Sequence, residues 1–416
     1  MRKNVVVILA TCWMLVLVIL ATVFFTSQYM AGHPLSMLPI GGMSAAADGE
    51  SDREIAERYK RLEEVRKILH ERYYTTLADE QLVLGAVRGM LAAPDDPYTY
   101  YYTPEENAQN SELMSGYYEG IGLVIGADEE KLMTILRVFP DTPAHEAGIL
   151  PGDRLMKING TDVSARTHQT MDDAIALIKT SENPTVMLTL LRSGSLVDLE
   201  VTRAMVNATR TAHRMIDDKI GYIAIHEFMG DAVPGFERAI SELQTSGMQA
   251  LIIDVRNNPG GILYDVVTIA DALLPEGLIV YTEDREGRRD EYASDANALS
   301  MPIAVLVNDM SASASEILAG SLQDYGVATI VGETTFGKGL VQEAIPFRED
   351  GAGLKLTIST YFTPEGRSIH GVGIVPDVHV SLPEDVNQAM AELMPERDEQ
   401  LQTAIQLLND QLDKPE

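Results

Sequence analysis

Three strand-length apolar runs, at residues 251–255, 303–307 and 328–331, are separated by helix-like patterns at 262–274 and 314–325, and they constrain this chain more than any other feature. Alternation of this kind over residues 206–382 implies βαβ units around a largely parallel sheet. With right-handed crossovers, the loops leaving the C-terminal ends of consecutive strands emerge on one edge. Those loops are Arg256-Asn257-Asn258-Pro259-Gly260-Gly261, Asp309-Met310-Ser311-Ala312-Ser313-Ala314-Ser315-Glu316, and residues 332–339. Residues distant in sequence should therefore converge.

Each loop brings part of what acyl transfer requires. Glycines in the first let backbone N–H groups approach a ligand closely. The second places a serine at a helix start, where free N–H groups and the positive dipole end favour an oxyanion. The third carries Lys338 between two glycines, with Gln342 four residues on. In an extended strand Lys338, Leu340 and Gln342 share a face, so Gln342 could orient the amine.

The rest of the 416 residues divides into distinct segments. Residues 1–30 contain an apolar run at 5–25 after Arg2 and Lys3, long enough for a membrane helix with its N-terminus cytoplasmic and the remainder extracytoplasmic. Cleavage near Ala45-Ala46-Ala47 is the competing reading. Residues 31–52 read as a flexible tether, 53–112 as a helical region, 113–205 as a β-rich domain, 206–383 as an α/β core and 384–416 as an acidic helical tail. The turn at Asp95-Asp96-Pro97-Tyr98 and the tyrosines at 100–102 suit a packing seam as well as a catalytic part. The lone Cys12 excludes internal disulfides and a cysteine zinc site, and a formal charge of −30 argues against nucleic acid.

In the β-rich segment, Tyr118-Glu119-Gly120-Ile121-Gly122-Leu123 precedes Thr142-Pro143-Ala144, Ala147-Gly148-Ile149 and Pro151-Gly152-Asp153 through Gly160. This order resembles a PDZ domain. The resemblance implies that the backbone at Gly120, Ile121, Gly122 and Leu123 holds a chain-terminal carboxylate while a strand edge accepts the peptide. Substrates with free, apolar C-termini would follow.

The motifs at 254–261, 311–317, 332–342 and Pro364-Glu365-Gly366-Arg367-Ser368-Ile369-His370-Gly371 resemble the carboxyl-terminal processing peptidases, or tail-specific proteases, over about residues 55–382. The resemblance implies a multidomain α/β serine endopeptidase with an inserted PDZ domain and a serine-lysine dyad. Carried over by position, Ser313 is the nucleophile, Lys338 the general base and Gln342 its orienting partner. The oxyanion donors are the N–H groups of Ala314 and of one glycine of the Pro-Gly-Gly turn, taken as Gly260. No metal or cofactor is implied. A base of this kind must be neutral, so Lys338 is expected to be largely buried and free of any carboxylate partner.

Other readings compete for the same residues. Ser313 and Glu316 fit a capping box, although with the full motif a neighbouring serine is the expected cap. Gly332-x4-Gly337-Lys338 matches most of a phosphate-binding loop, but Gly339 replaces the magnesium ligand and a strand-like run follows. His370 and Asp377 are the nearest members of a serine-histidine-aspartate triad. A membrane-tethered PDZ scaffold with a regulated or inactive peptidase-like domain is the non-enzyme alternative. The terminal helical segments could pair two copies, and any adaptor is unidentified.

Overall fold

The computed structural model describes residues 52–127, 132–164, 171–179, 183–207, 209–383 and 394–413, with residues 386 and 391. The expected membrane helix at 5–25, Cys12 and the expected tether up to residue 51 lie outside the described residues. Among those described, no helix is long and apolar enough to cross a membrane.

Two units divide after Ala86. The first contains α1 (Asp52–Arg72) and the start of α2 (Asp79–Leu91). Arg66 donates to Glu63 and to Asp79, each at 2.7 Å, which places an acidic residue in the first turn of α2, where the helix dipole favours it. The apolar stripe Tyr59, Leu62, Val65 and Ile68 stands exposed.

The second unit opens with β1 (Tyr100–Tyr102) and α3 (Pro104–Ser115). Next come β2 (Tyr117–Gly120), β3 (Leu123–Ala127), β4 (Met133–Val138), β5 (Arg154–Ile158), β6 (Thr161–Asp162), α4 (Met171–Lys179), β7 (Thr185–Arg192), β8 (Ser195–Thr202) and β9 (Ala204–Asn207). Strands β3-β4-β5-β7-β8 form one sheet in that order, with β6 on β5. Its core is Ile135, Ile149, Leu155, Ile158, Leu188 and Leu190. The antiparallel pair β2–β9 joins the two ends of this domain.

The chemistry-bearing segment runs through β10 (Thr211–Ile216), β11 (Ile220–Ile225), α5 (Ala232–Thr245), β12 (Ala250–Asp254), α6 (Leu263–Asp271), β13 (Gly277–Asp284), β14 (Arg289–Ser294), β15 (Ile303–Val307), α7 (Ala314–Asp324), β16 (Ala328–Gly332), β17 (Leu340–Pro346), β18 (Gly353–Phe362), β19 (Val378–His379) and α8 (Glu399–Leu412). The main sheet has the order β10-β11-β12-β15-β16-β19 and is parallel except at β10–β11. Strands β11, β12 and β15 are buried at every position, as befits a sheet covered on both faces. Alternate residues go to opposite sides. Ile223, Leu251, Ile253 and Val305 join Phe236, Ile269 and Leu318, whereas Tyr222, Ile252 and Leu306 join Leu401, Ala404 and Leu408 of α8.

One feature departs from the sequence expectation of a single, largely parallel sheet. Strands β1-β18-β13-β14, with β17 paired to β18, form a second, antiparallel sheet. Long antiparallel ribbons at 277–294 and 340–362 pair with each other rather than with the parallel strands.

The tail is tied to the sheet by charge as well as by its apolar stripe. Buried Arg256 donates Nε and Nη2 to Asp254, Nη1 and Nη2 to Asp398 at 2.9 Å, and Nη1 to Gln400 at 3.0 Å. Tyr222 donates its hydroxyl to Asp254 at 2.7 Å. Since Arg256 begins the Asn-Asn-Pro-Gly-Gly loop, the network holds that loop from below. Removing one partner of such a buried set leaves an uncompensated charge, which costs about 3–5 kcal/mol. Asp398→Ala should therefore lower unfolding stability by roughly that amount, measured by urea denaturation, whereas loss of an exposed pair such as Lys60–Glu57 should change it little.

Candidate active site

The loops after β12, β15 and β16 meet at the start of α7. Ser313 is its N-cap residue, with φ 55° and ψ −111°. This backbone conformation is costly for a side chain with a Cβ, on the order of 1–3 kcal/mol, and persists only where the surroundings enforce it. Asn258 supplies much of that enforcement. It is fully buried, donates Nδ2 to the Ile225 carbonyl at 2.8 Å, and accepts the Ala312 N–H and the Ser315 hydroxyl on its own carbonyl, both at 2.9 Å. Ser311 is equally buried and donates its hydroxyl to the Val255 carbonyl at 2.8 Å. The hydroxyls of Ser311 and Ser315 are thus spent on the frame, and the half-buried Ser313 is the one presented.

The capping differs from the sequence expectation. Ser313 itself occupies the cap position, because its N–H is donated to the carboxylate of Glu316 at 2.8 Å. Glu316 is fully buried and does more than cap. It accepts the Lys338 N–H at 2.8 Å, the Gly337 N–H at 2.7 Å and the Thr335 hydroxyl at 2.6 Å. The Ser313 and Lys338 loops are therefore held on one carboxylate. Tyr361 on β18 adds a second tie, its hydroxyl lying 3.0 Å from the Ser313 carbonyl and against that of Lys338. Burial, then the Glu316 charge, push this phenol's pKa up, so it remains a donor.

The same contacts dispose of the phosphate-loop reading. Gly337 and Lys338 turn their N–H groups to a protein carboxylate, and a strand follows, where a phosphate site needs free N–H groups and a helix. The triad reading fares no better. His370 is exposed, and Asp377 accepts from the Ile330 N–H at 2.7 Å and from Gln323 at 2.9 Å.

Lys338 is part-buried, less enclosed than expected, and among the described residues no carboxylate lies within ion-pair distance of its amine. The amine sits over the Tyr98 ring, 4.6 Å from its centroid. Burial, then repulsion from Lys355, lower its pKa from 10.5 to about 8 against the opposing pull of Asp96 and Glu316. Tyr98 belongs to the turn left undecided between packing and catalysis. Asp96 holds that turn, accepting the Tyr98 N–H at 2.9 Å and the Thr99 hydroxyl at 2.6 Å, and Thr99 in turn accepts the Thr357 N–H of β18 at 3.1 Å. Sequence reasoning missed this wall of the lysine site.

Gln342 is not hydrogen-bonded to Lys338 in this structure. Lys338 precedes β17, and a register shift between Val341 and Gln342 breaks the alternation on which the shared face depended. The Gln342 Nε2 is left buried with no partner.

The oxyanion donors also need a correction. The Gly260 N–H is donated to Asn258 Oδ1 at 2.9 Å, while no acceptor among the described residues takes the N–H of Gly261 or of Ala314. Gly260 is nonetheless obligatory: at φ 106°, a Cβ there would come within 2.8 Å of the Ala312 carbonyl oxygen and of Ser313 Cβ. In the β-rich domain, the carbonyls of Ile121 and Gly122 accept N–H groups from Ala144 and Phe139 at 2.8 and 3.0 Å, and Ile121 is buried in the core. Gly120 is buried at the end of β2, Gly122 sits at φ 85° directly against Thr142, and Leu123 begins β3, an edge strand of its sheet.

A strained serine at a helix start and a lysine with no carboxylate partner among the described residues thus stand on neighbouring loops of an α/β frame, tied to one buried carboxylate. Residues 219–380 match peptidase family S41, 134–192 the PDZ domain and 17–106 the activating protease CtpB N-terminal domain. The chain is 36% identical over 350 residues to the carboxyl-terminal-processing protease of Synechocystis sp., covering 82% of this chain and 80% of that one. It is 34% identical over 348 residues to the carboxy-terminal processing protease CtpA of Bacillus subtilis, covering 82% and 72%. The solved structure of a photosystem II D1 C-terminal processing protease superposes with a TM-score of 0.52 at 30% identity, covering 80% of this chain and 90% of that one. The chain belongs to the carboxyl-terminal processing proteases of peptidase family S41.

Glu316→Gln should lower kcat/KM by about 10- to 100-fold, because an amide turns two donors toward a site that supplies only donors, leaving buried groups unpaired at about 1–3 kcal/mol. Steady-state kinetics with circular dichroism on the same preparation checks this. Gly260→Ala should abolish activity while the folded spectrum is retained.

Proposed function

We propose that this protein is a serine endopeptidase that binds the C-terminal tail of a protein substrate through its PDZ domain and cleaves the chain at Ser313. The observation that carries the reading is a strained Ser313 held on the same carboxylate as the backbone of a lysine lowered to about 8, which has no carboxylate partner among the described residues. In the mechanism, neutral Lys338 removes the hydroxyl proton as Ser313 Oγ attacks the scissile carbonyl. The resulting oxyanion is met by the N–H groups of Ala314 and Gly261 at the positive end of α7. The protonated lysine then gives its proton to the leaving amine, and a water attacking the acyl-enzyme by the same route restores Ser313.

In this structure the Lys338 amine lies over the Tyr98 ring and makes no hydrogen bond to the Ser313 hydroxyl, so proton transfer requires the two to draw together. The unpartnered Gln342 Nε2 supports a position for the amine beside it, since a buried donor without an acceptor is costly and a neutral amine can accept its hydrogen. The free edge of β3 beside the Gly120 to Leu123 loop supports strand addition of an apolar-ended peptide. The apolar run at 5–25 supports a membrane anchor with the catalytic region extracytoplasmic, and the uncovered stripe of α1 supports pairing of two copies through terminal helices.

Incubation of the full chain with a peptide ending in an apolar free carboxylate, with EDTA throughout, tests the assignment. Wild type should cleave it, while Ser313→Ala and Lys338→Ala should not; metal dependence or equal activity in all three would contradict it. The log of kcat/KM should rise with slope one up to a pH near 8 and level above it, because the lowered lysine must lose its proton to act.

A further inference from the structure

An open cleft of about 470 Å³ shares the Tyr98 ring with the Lys338 amine and is lined by Tyr98, Tyr100, Tyr102, Glu106 and Lys355 among others. Its size and aromatic walls suit a small ligand. The charges in it are unevenly committed. Glu106 is occupied, accepting from Arg88 at 3.0 Å, the Tyr100 hydroxyl at 3.1 Å and the Thr103 N–H at 2.8 Å. Lys355 is half-buried on β18 opposite Tyr100 and has no ion-pair partner among the described residues. A part-buried cation beside three tyrosines, with the local acid already paired, is complementary to an anion carried on an apolar group.

We propose that this cleft is a binding site for a carboxylate borne next to an aromatic or apolar side chain, as at the C-terminus of a peptide, with Lys355 as its cationic partner. Peptide hydrolysis generates a new terminal carboxylate at every turnover, so the reaction supplies ligands of this class. The site is coupled to the chemistry, a consequence that rests on reading Lys338 as the base. The Tyr98 ring lies under the Lys338 amine, and the charges that act on it are the anions Asp96 and Glu316 and the cation Lys355. Neutralising Lys355 removes the repulsion that helps Lys338 shed its proton. A bound carboxylate therefore holds the base protonated to higher pH and slows turnover near neutrality, with the effect fading as pH rises above the shifted value.

Calorimetry on the full-length Ser313→Ala protein, which cannot turn over, reads the site independently of catalysis. N-acetyl-phenylalanine should bind, and its uncharged primary amide should bind about tenfold or more weakly. N-acetyl-aspartyl-phenylalaninamide distinguishes a side-chain carboxylate from a terminal one, the proposal requiring the terminal acid to bind more tightly. Adding Lys355→Met should remove one acid-selective binding event, leaving only any that belongs to the PDZ domain, and Lys355→Arg should keep it. Equal binding of acid and amide, or an unchanged preference in Lys355→Met, would overturn the site. In wild type, N-acetyl-phenylalanine should move the acid limb of the kcat/KM profile to higher pH. Lys355-dependent binding with an unmoved limb would contradict the coupling through Lys338 while leaving the site intact.

Discussion

The buried carboxylate of Glu316 is the interaction on which the active-site architecture depends. It takes an N–H from the serine residue itself, two N–H groups and a hydroxyl from the lysine loop, and it leaves no acceptor capacity for an ammonium. A carboxylate satisfied by fixed donors is stable in the interior without a cation. In a chain with a formal charge of −30, Lys338 has no carboxylate partner among the described residues, and Glu316 beside it is already filled by three backbone N–H groups and the Thr335 hydroxyl. Tyr361, donating toward the carbonyls of Ser313 and Lys338, makes the arrangement two-sided.

Around this centre the parallel sheet acts as a rack. The turn after β12 is held on one side by Asn258, whose side chain bonds Ile225 of β11 and whose backbone carbonyl fixes the serine loop, and on the other by Arg256, which reaches the tail at Asp398 and Gln400. The C-terminal helix is therefore part of the site's support as well as of the core. The second sheet plays the corresponding role for Lys338, since β18 carries Tyr361, Thr357 and Lys355 and receives β1 on its edge.

What the sequence made legible follows from how burial writes itself into pattern. Residues 251–255 and 303–307 are buried on both faces, so their apolar runs mark consecutive parallel strands without ambiguity. The stripe of Leu401, Ile405, Leu408 and Leu412 likewise marks a helix lying on a neighbour. Strands β17 and β18 are half-exposed, with irregular patterns and a bulge, so their antiparallel pairing left little trace. Charge ties between distant segments leave none: nothing in the pattern joins Asp398 to Arg256, or Tyr98 to Lys338. Which glycine keeps a free N–H was equally hidden, because it depends on where the Asn258 side chain points.

The proposed mechanism turns on activation of Ser313 by Lys338. It is tested most directly by a serine-directed phosphonylating probe, followed by intact-mass measurement and peptide mapping. A single adduct on Ser313 is expected in the wild-type chain, formed far more slowly in Lys338→Met. An adduct on another residue, or labelling of Ser313 at an equal rate without the lysine, would contradict it.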